Sequence, residues 1–172
     1  GKRPNLRAIF VESTACPSMT RGLYHYDWGD TAKTGPVAKM HTVGHNFVPA
    51  PVHAGGLRYH GIAPTISHLL ENNMAEARAY HQNAVFEAAH SFACSEGTIV
   101  APETAHAVRA AYDEALACKE SGEAKVILLN CSGHGHFDMA AYDAYHRENL
   151  LDYELEEERI QVALQDLPQV PA

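Results

Sequence analysis

No apolar run in the sequence approaches bilayer length, and no charged segment followed by an apolar stretch opens it. These absences give no sign of a membrane span or a secretory leader. Lysine and arginine total 13 against 21 aspartates and glutamates, a formal net charge of −8. Without a basic cluster, this composition argues against a nucleic-acid-binding surface. We therefore expect a soluble, cytoplasmic protein that binds neither membrane nor nucleic acid.

The four cysteines form no CxxC pair, and the sequence contains no HExxH motif. Scattered cysteines of this kind are typical of free thiols in a reducing compartment. The twelve histidines are unusual. His134 and His136, separated by one glycine, resemble half a metal site, and further ligands could come from His41, His45, His53 or His60. No acidic-histidine combination stands at ligand spacing, however. We favour neutral, hydrogen-bonding histidines and no metal; a histidine-metal hydrolase stays an alternative.

Apolar residues make up 46% of the 172 residues, which is enough for one domain with its own core. Short apolar runs alternate with helical patterns, an order typical of α/β proteins. We predict a layered α/β fold with a mostly parallel sheet and flanking helices over residues 1–150. An acidic tail, residues 151–172, is expected to contain one more helix.

Hydrophobic periodicity places the individual elements. Strands are predicted at residues 6–12, 76–80, 98–101 and 125–129. Helices are predicted at residues 65–71, 81–94, 102–121, 138–148 and 154–164. Between residues 13 and 61, prolines and glycines interrupt every pattern, so we expect a long irregular region with a helical turn or two at residues 18–24.

The stretch from Lys125 to Asp138 joins a predicted strand, buried on both faces, to a polar, glycine-rich loop. In open α/β sheets, ligands bind beyond the carboxyl ends of the strands, where glycines let backbone amides approach closely. Ser132 and Gly133 lie at such a position. A loop whose glycines serve only the turn explains the same pattern, and the pattern alone does not decide between the two.

Two further segments carry candidate ligand groups. Glu103 follows the predicted strand 98–101 and begins the longest helix, where a carboxylate is also favoured by the helix dipole. The glycine-rich segment 56–61 contains Gly56, Arg58, Tyr59 and His60. An arginine in such a loop suits a carboxylate or phosphate anchor and equally a surface ion pair.

Three motifs favour a ligand-binding role for these segments over a purely structural one: HTVGHNFVPAPVHAGGLRYHG at 41–61, EGTIVAPETAHAVRAAYDEAL at 96–116 and VILLNCSGHGHFD at 126–138. Together they resemble the carboxyl-terminal portion of the tryptophan synthase beta chain, second class, in order from about residue 6 to residue 150. The resemblance implies a fold type II enzyme that uses pyridoxal 5′-phosphate. Its implied reaction replaces the hydroxyl of L-serine with indole and gives L-tryptophan.

By position, the resemblance implies that Ser132 hydrogen-bonds the pyridine nitrogen of the cofactor, with Gly133 beside it. A neutral hydroxyl leaves that nitrogen largely unprotonated, which favours elimination and replacement over transamination. Glu103 is implied to lie beside the cofactor ring as the catalytic carboxylate.

The resemblance also implies a loop that closes over the substrate, formed by Gly56, Arg58, Tyr59 and His60. Arg58 stands where the better-known class has an aspartate that contacts the substrate serine, so another amino-acid donor stays open. Carbonyls near Tyr59 and Gly61 correspond to a monovalent-cation site.

The family's Schiff-base lysine and its phosphate-binding glycine loop have no counterpart in the printed sequence. We therefore expect a fragment that does not synthesise tryptophan by itself. Uncovered apolar faces at residues 6–11 and 126–129 predict a homo-oligomer; whether an alpha-type subunit binds stays open. The alternative from another class is a stand-alone, non-catalytic module that binds a ligand or a partner chain.

Overall fold

The structure, a computed structural model, describes residues 6–169. Its helices are α1 (Ser18–Arg21), α2 (Pro64–Glu71), α3 (Gln82–Glu96), α4 (Pro102–Ser121), α5 (Met139–His146) and α6 (Glu157–Leu164). Its strands are β1 (Ile9–Ser13), β2 (Leu23–Trp28), β3 (Val37–Thr42) and β4 (Glu76–Tyr80), and a short 3₁₀ helix covers Gly55–Leu57. The first five and last three residues, which include part of the predicted acidic tail, lie outside the described residues.

The chain divides into two compact units. Unit 1 takes in the described residues up to Ala50, then Arg58–Ala79, then those from Glu154 onward. Unit 2 takes in Pro51–Leu57 and Tyr80–Tyr153. Each unit has its own buried apolar cluster.

In unit 1, strands β1 and β4 pair with each other, and β2 pairs with β3. The amide of Glu76, the first residue of β4, donates to the carbonyl of Ala8, just before β1, at 2.9 Å. The two strands therefore start at the same end and run parallel. Together with the flanking helices, this parallel pair confirms the predicted α/β class.

The hairpin of β2 and β3 is antiparallel, with Leu23 opposite Thr42, and it lies inside the region predicted to be irregular. Of its tyrosines and histidines, Tyr24 and His25 are half-buried, Tyr26 is exposed and His41 is buried, so no clear apolar alternation marks the strands. The turn between them is organised by Asp30, whose carboxylate accepts the amide of Thr34 at 3.1 Å. Asp30, with Gly29 and Gly35 on either side, thus forms a turn inside the region that the sequence predicts to be irregular.

The core of unit 2 lies between α3, α4 and α5. Phe86 of α3 meets the ring of Tyr142 edge to face, with centroids 5.0 Å apart. The Tyr142 hydroxyl donates to the Val100 carbonyl at 2.6 Å, which ties α5 to the segment before α4. Burial raises the pKa of Tyr142 to about 12, so this hydroxyl keeps its proton at physiological pH.

The helices predicted at residues 65–71, 81–94 and 102–121 are confirmed within two residues at each end. The last of them ends, as expected, at Gly122, whose φ of 72° is the left-handed conformation that glycine adopts most easily. Helix α5 begins after Asp138 as predicted, although no hydrogen bond from that side chain caps it. No helix of the described residues is long and apolar enough to cross a bilayer.

The predicted strand at residues 125–129 is wrong. In the described part of the chain this segment belongs to no sheet, and Val126 and Leu128 are 99% and 95% exposed. Only Leu129 is half-buried against the unit 2 core. An extended segment becomes a strand only when a neighbouring strand supplies ladder hydrogen bonds, and none of the described strands does so here.

The predicted strand at residues 98–101 is also wrong. Val100 makes a single isolated antiparallel bridge, to His134. The segment runs beside the polar loop that follows residue 131 and has no full strand partner among the described residues. One bridge fixes the relative position of the two segments without forming a sheet.

Candidate functional site

The first turn of α4 carries the residues that hold the candidate site in unit 2. Pro102 begins the helix, where its missing N–H costs nothing, and Ala101 before it is extended (φ −61°, ψ 151°). Glu103 and Thr104 follow at once. The Glu103 Oε1 atom accepts the amide of Gly56 at 2.7 Å, which fixes the short helix Gly55–Leu57 to the start of α4.

A side chain at Gly56 would be crowded by Glu103. A Cβ at Gly56 would lie 3.1 Å from Cγ and 3.2 Å from Oε1 of Glu103. At Gly55 a Cβ would meet nothing within 4 Å. The two adjacent glycines therefore differ: an added side chain would be crowded by Glu103 at Gly56 and would have open space at Gly55.

Thr104 lies at the centre of the loop that contains Ser132 and Gly133. Its hydroxyl accepts the amides of both residues at 3.1 Å. The same oxygen lies 2.8 Å from the Ser132 Oγ atom and 3.3 Å from the Gly133 carbonyl. One buried hydroxyl thus holds two backbone amides and one side chain of the loop.

The loop is also held by backbone contacts to the segment before α4. The amide of Ala101 donates to the Gly133 carbonyl, and the amide of Gly135 donates to the Ile99 carbonyl, both at 2.9 Å. A Cβ at Gly135 would collide with the backbone carbonyl of Val100, whereas one at Gly133 would meet only the Ala101 Cβ at an ordinary 3.5 Å. The loop therefore needs its second glycine for close packing.

These contacts define what we call the first-turn site, formed by Gly56, Glu103, Thr104, Ser132 and Gly133. The structure connects all five through the first turn of α4: Glu103 binds Gly56, and Thr104 binds Ser132 and Gly133. Chemically, the site combines a carboxylate acceptor, an exposed serine hydroxyl and a loop fixed by backbone bonds. Sequence reasoning found all of these residues except Thr104.

Thr104 was missed because its hydroxyl directly follows the more conspicuous Glu103. A local signal exists: a threonine in the first turn of a helix that follows an extended segment has a hydroxyl positioned to bind neighbouring backbone groups. Here it is used by a distant loop, 28 residues further along the chain. Such a long-range partner is not visible in a single sequence.

The remaining residues of the predicted substrate loop belong to unit 1. Arg58 is exposed, and its Nη2 atom lies 3.5 Å from the Pro49 carbonyl, at the outer limit of a hydrogen bond. Tyr59 is half-buried; burial, with smaller contributions from the charges of Glu12 and Cys16, raises the pKa of its phenol. Neither side chain is fixed by a strong contact to another side chain that would assign it a role.

His60 is held firmly in unit 1. Its Nε2 atom lies 2.8 Å from the Trp28 carbonyl, and since a carbonyl only accepts, that nitrogen carries a proton. The His60 carbonyl accepts the amide of Val43 at 2.8 Å, and Gly61 bridges Thr42. The segment after Tyr59 therefore runs antiparallel beside the end of β3 and is joined to it by an isolated bridge. The predicted cation site at the carbonyls of Tyr59 and Gly61 stays a prediction.

A buried polar network lies beneath that segment. Asp27 and His45 are both fully buried, and their Oδ1 and Nδ1 atoms are 2.7 Å apart. The Thr42 hydroxyl donates to Asp27 Oδ2 at 2.6 Å, and the Trp28 amide donates to Oδ1 at 2.7 Å. Sequence reasoning had weighed His45 only as a possible metal ligand; the structure uses its Nδ1–H to satisfy a buried carboxylate.

His134, His136 and His106 lie in unit 2 and make local contacts there. His134 and His136 have ring centroids 4.7 Å apart, and within residues 6–169 no three His, Cys, Asp or Glu side chains are grouped to hold a metal ion. His106 is buried in unit 2, where its Nδ1 atom binds the Pro102 carbonyl at 2.8 Å. Burial lowers the pKa of His106, so it is a neutral core residue.

Comparison with known proteins gives a consistent result. No family model matches the chain. The chain is 54% identical over 151 residues to tryptophan synthase beta chain 2 of Aquifex aeolicus, which covers 88% of this chain and 35% of that protein. It is 57% identical to tryptophan synthase beta chain 2 of Aeropyrum pernix, over 88% of this chain and 34% of that protein. The same protein of Methanosarcina mazei is 57% identical, over 82% of this chain and 32% of its own length.

The aligned stretches include most of the chain, yet the chain spans only about a third of the length of these curated relatives. Identities above 50% over more than 140 residues confirm the resemblance that the three motifs indicated. Over most of its length, this chain is homologous to a part of the tryptophan synthase beta chain 2 family.

Proposed function

We propose that the full-length protein carrying this sequence is a pyridoxal 5′-phosphate enzyme of fold type II that joins L-serine and indole to give L-tryptophan. The first-turn site contributes one wall of its cofactor pocket. The observation that carries the proposal is the pairing of Ser132 with Thr104 at 2.8 Å, next to the carboxylate of Glu103. The homology supports the same activity through the names of the relatives.

The residues of the first-turn site fit this cofactor by their chemistry. A pyridine nitrogen is a hydrogen-bond acceptor, and Ser132 offers an exposed hydroxyl that can donate to it. The loop around Ser132 is fixed by three amide contacts, to Thr104 and to Ile99, so the hydroxyl is held in place. A rigid neutral donor is what an unprotonated ring nitrogen requires.

Pyridoxal 5′-phosphate, when bound, supplies a conjugated ring that accepts the electron pair released at the α-carbon of an amino acid. Ser132 orients the ring through its nitrogen and, as a weak acid, leaves that nitrogen unprotonated. Glu103 supplies a proton-accepting carboxylate in the same site. Its hold on Gly56 keeps the short helix Gly55–Leu57 against α4, so that Pro51–Leu57 is positioned as part of the same wall.

Several finer points belong to the same proposal. Arg58, Tyr59 and His60 form the part of the substrate loop that follows Gly56, and Arg58 contacts the carboxylate of the amino-acid donor, an ion pair that guanidinium groups make well. Tyr59 and Gly61 offer carbonyls to a monovalent cation. Residues 1–150 form one part of the enzyme's domain, with the acidic segment 151–172 after it. The enzyme is a cytoplasmic homo-oligomer, and an alpha-type subunit is a candidate partner.

The experiment uses the full-length protein with added cofactor. Cofactor binding is followed by its absorption spectrum, and L-tryptophan formation from L-serine and indole is measured for wild type, Ser132→Ala and Glu103→Gln. Ser95→Ala, an exposed serine of α3 in the same unit, is the matched control. We expect both site variants to keep the wild-type melting temperature and lose most activity, while the control keeps it.

Unchanged kinetics in Ser132→Ala would remove Ser132 from the mechanism. A wild-type protein that binds no pyridoxal 5′-phosphate would refute the proposed function altogether. In that case calorimetry with L-serine and L-tryptophan would test the non-catalytic binding module. Activity with a different amino-acid donor would keep the enzyme class and replace L-serine.

A further inference from the structure

The Thr104 hydroxyl is in contact with two amides, one hydroxyl and one carbonyl. Because the hydroxyl has a single proton, these contacts determine which partner it donates to. A threonine hydroxyl has one proton to donate and two lone pairs that accept. The amides of Ser132 and Gly133, each at 3.1 Å, only donate, and together they occupy both lone pairs. No lone pair remains on Thr104 for a proton from the Ser132 hydroxyl.

The contact of 2.8 Å between the two hydroxyls must therefore run in one direction. Thr104 donates, and the Ser132 Oγ atom accepts. Among the described residues, the competing acceptor for the Thr104 proton is the Gly133 carbonyl, which lies further away at 3.3 Å. The shorter distance favours Ser132, and the proton of Ser132 itself is then not used within this pair.

We infer that Thr104 is a positioning residue that holds Ser132 in place and leaves its proton free to be donated to the ring nitrogen of an aromatic heterocycle. The inference rests on the proposed function for the identity of that heterocycle, the pyridine ring of pyridoxal 5′-phosphate. Thr104 is buried and acts only through Ser132. Its hydroxyl holds the loop in place and leaves the Ser132 proton out of the bond between the two side chains.

The arrangement leaves the Ser132 hydroxyl able to donate to an unprotonated ring nitrogen. The bond from Thr104 occupies one of the two lone pairs of Ser132 and does not use its proton. If Thr104 accepted from Ser132 instead, that proton would be taken by the pair and would not be available to the ring. Thr104 thereby keeps the Ser132 proton available for the ring nitrogen.

The test uses the full-length protein loaded with pyridoxal 5′-phosphate that is ¹⁵N-labelled at the ring nitrogen. The variants are Thr104→Val, which keeps the shape and removes the hydroxyl, Thr104→Ser, which restores a hydroxyl, and Ser132→Ala. Thr98→Val, an exposed threonine in the same unit, is the matched control. The readouts are the ¹⁵N chemical shift of the ring nitrogen and the cofactor dissociation constant.

In wild type we expect the ¹⁵N shift of an unprotonated, hydrogen-bonded pyridine. Thr104→Val should move it toward that of a pyridine without a donor, in the same direction as Ser132→Ala, and raise the dissociation constant about three- to tenfold, the value of one net hydrogen bond. Thr104→Ser should restore both readouts, and Thr98→Val should change neither.

Three results would overturn the inference: a wild-type ¹⁵N shift in Thr104→Val, no recovery in Thr104→Ser, or a protonated ring nitrogen in wild type. If Thr104→Val does not fold, a crystal structure of the loaded wild type decides. Thr104 Oγ1 within hydrogen-bond distance of both amides and of Ser132 Oγ supports the inference, and a rotated Thr104 hydroxyl contradicts it.

Failure of wild type to bind the cofactor refutes the proposed function instead. Hydrogen exchange of the Ser132 and Gly133 amides, measured without cofactor, then still reports on their contacts with Thr104.

Discussion

The amide of Gly56 donates to the Oε1 atom of Glu103 at 2.7 Å, so a backbone group and a candidate catalytic carboxylate hold each other in place. The contact orients the carboxylate and at the same time fixes the short helix Gly55–Leu57. A substitution at Gly56 would therefore move the Glu103 carboxylate without changing its charge.

Gly56→Ala is expected to lower the activity of the full-length protein about tenfold, since small displacements of a positioned group are costly. The added Cβ would lie 3.1 Å from Glu103 Cγ and push the carboxylate away. Gly55→Ala is the matched control, because a Cβ there meets nothing within 4 Å. Steady-state kinetics of both variants check the prediction, and equal losses at the two positions would contradict it.

Gly135→Ala is expected to destabilise the protein by about 1–3 kcal/mol, because the new Cβ overlaps the Val100 carbonyl and lies 3.0 Å from the Ile99 side chain. Gly133→Ala should change the free energy of unfolding by less than about 0.5 kcal/mol, since its nearest contact is an ordinary 3.5 Å. Urea unfolding of the two variants measures this difference. The reverse order would show that the loop is held differently.

The buried His106 predicts a dependence of stability on pH. Burial lowers the pKa of His106 below its usual 6.5, so the unfolded chain binds a proton more readily than the folded one. Its contribution is complete above pH 6.5 and is lost as the pH falls below that value. His106→Gln should flatten the decrease in melting temperature between pH 7 and pH 5. Replacing the exposed His53 by glutamine is the control, and an equal flattening there would contradict the assignment to His106.

Asp27→Asn is expected to cost about 2–4 kcal/mol of stability. The asparagine side chain keeps one oxygen, yet the Thr42 hydroxyl, the Trp28 amide and the His45 ring all donate to the carboxylate of Asp27. At least one buried donor then loses its acceptor. Asp166→Asn, at an exposed aspartate bound by Asn46, should leave the unfolding midpoint nearly unchanged. Thermal unfolding of both variants checks the contrast.

The sequence was informative where structure depends on local pattern. Helix α4 was placed to the residue, because Pro102 and Gly122 mark its two ends and its apolar face is regular. Strand β4 was also placed correctly, at Glu76–Tyr80. Both elements form from signals that lie within a few residues of one another.

Sequence reasoning failed where structure depends on a distant partner. The apolar run at residues 125–129 has the composition of a buried strand, yet no described strand pairs with it. Thr104 and the pairing of Asp27 with His45 were missed for the same reason, since their partners lie 28 and 18 residues away. Within the site, Glu103, Ser132 and Gly133 were found through the family resemblance, and their contacts through the structure alone.

The exposed segment at residues 125–129 bears on the solubility of the isolated chain. Val126 and Leu128 present alkyl groups to water at every second position, with no charged residue between Lys125 and Leu129 to interrupt them. Natural proteins place such gatekeeper charges to prevent strand addition between molecules. We expect the exposed Val126 and Leu128 to limit the concentration at which the chain stays dispersed, and a lysine at position 126 or 128 should raise that limit more than one at an already polar surface position.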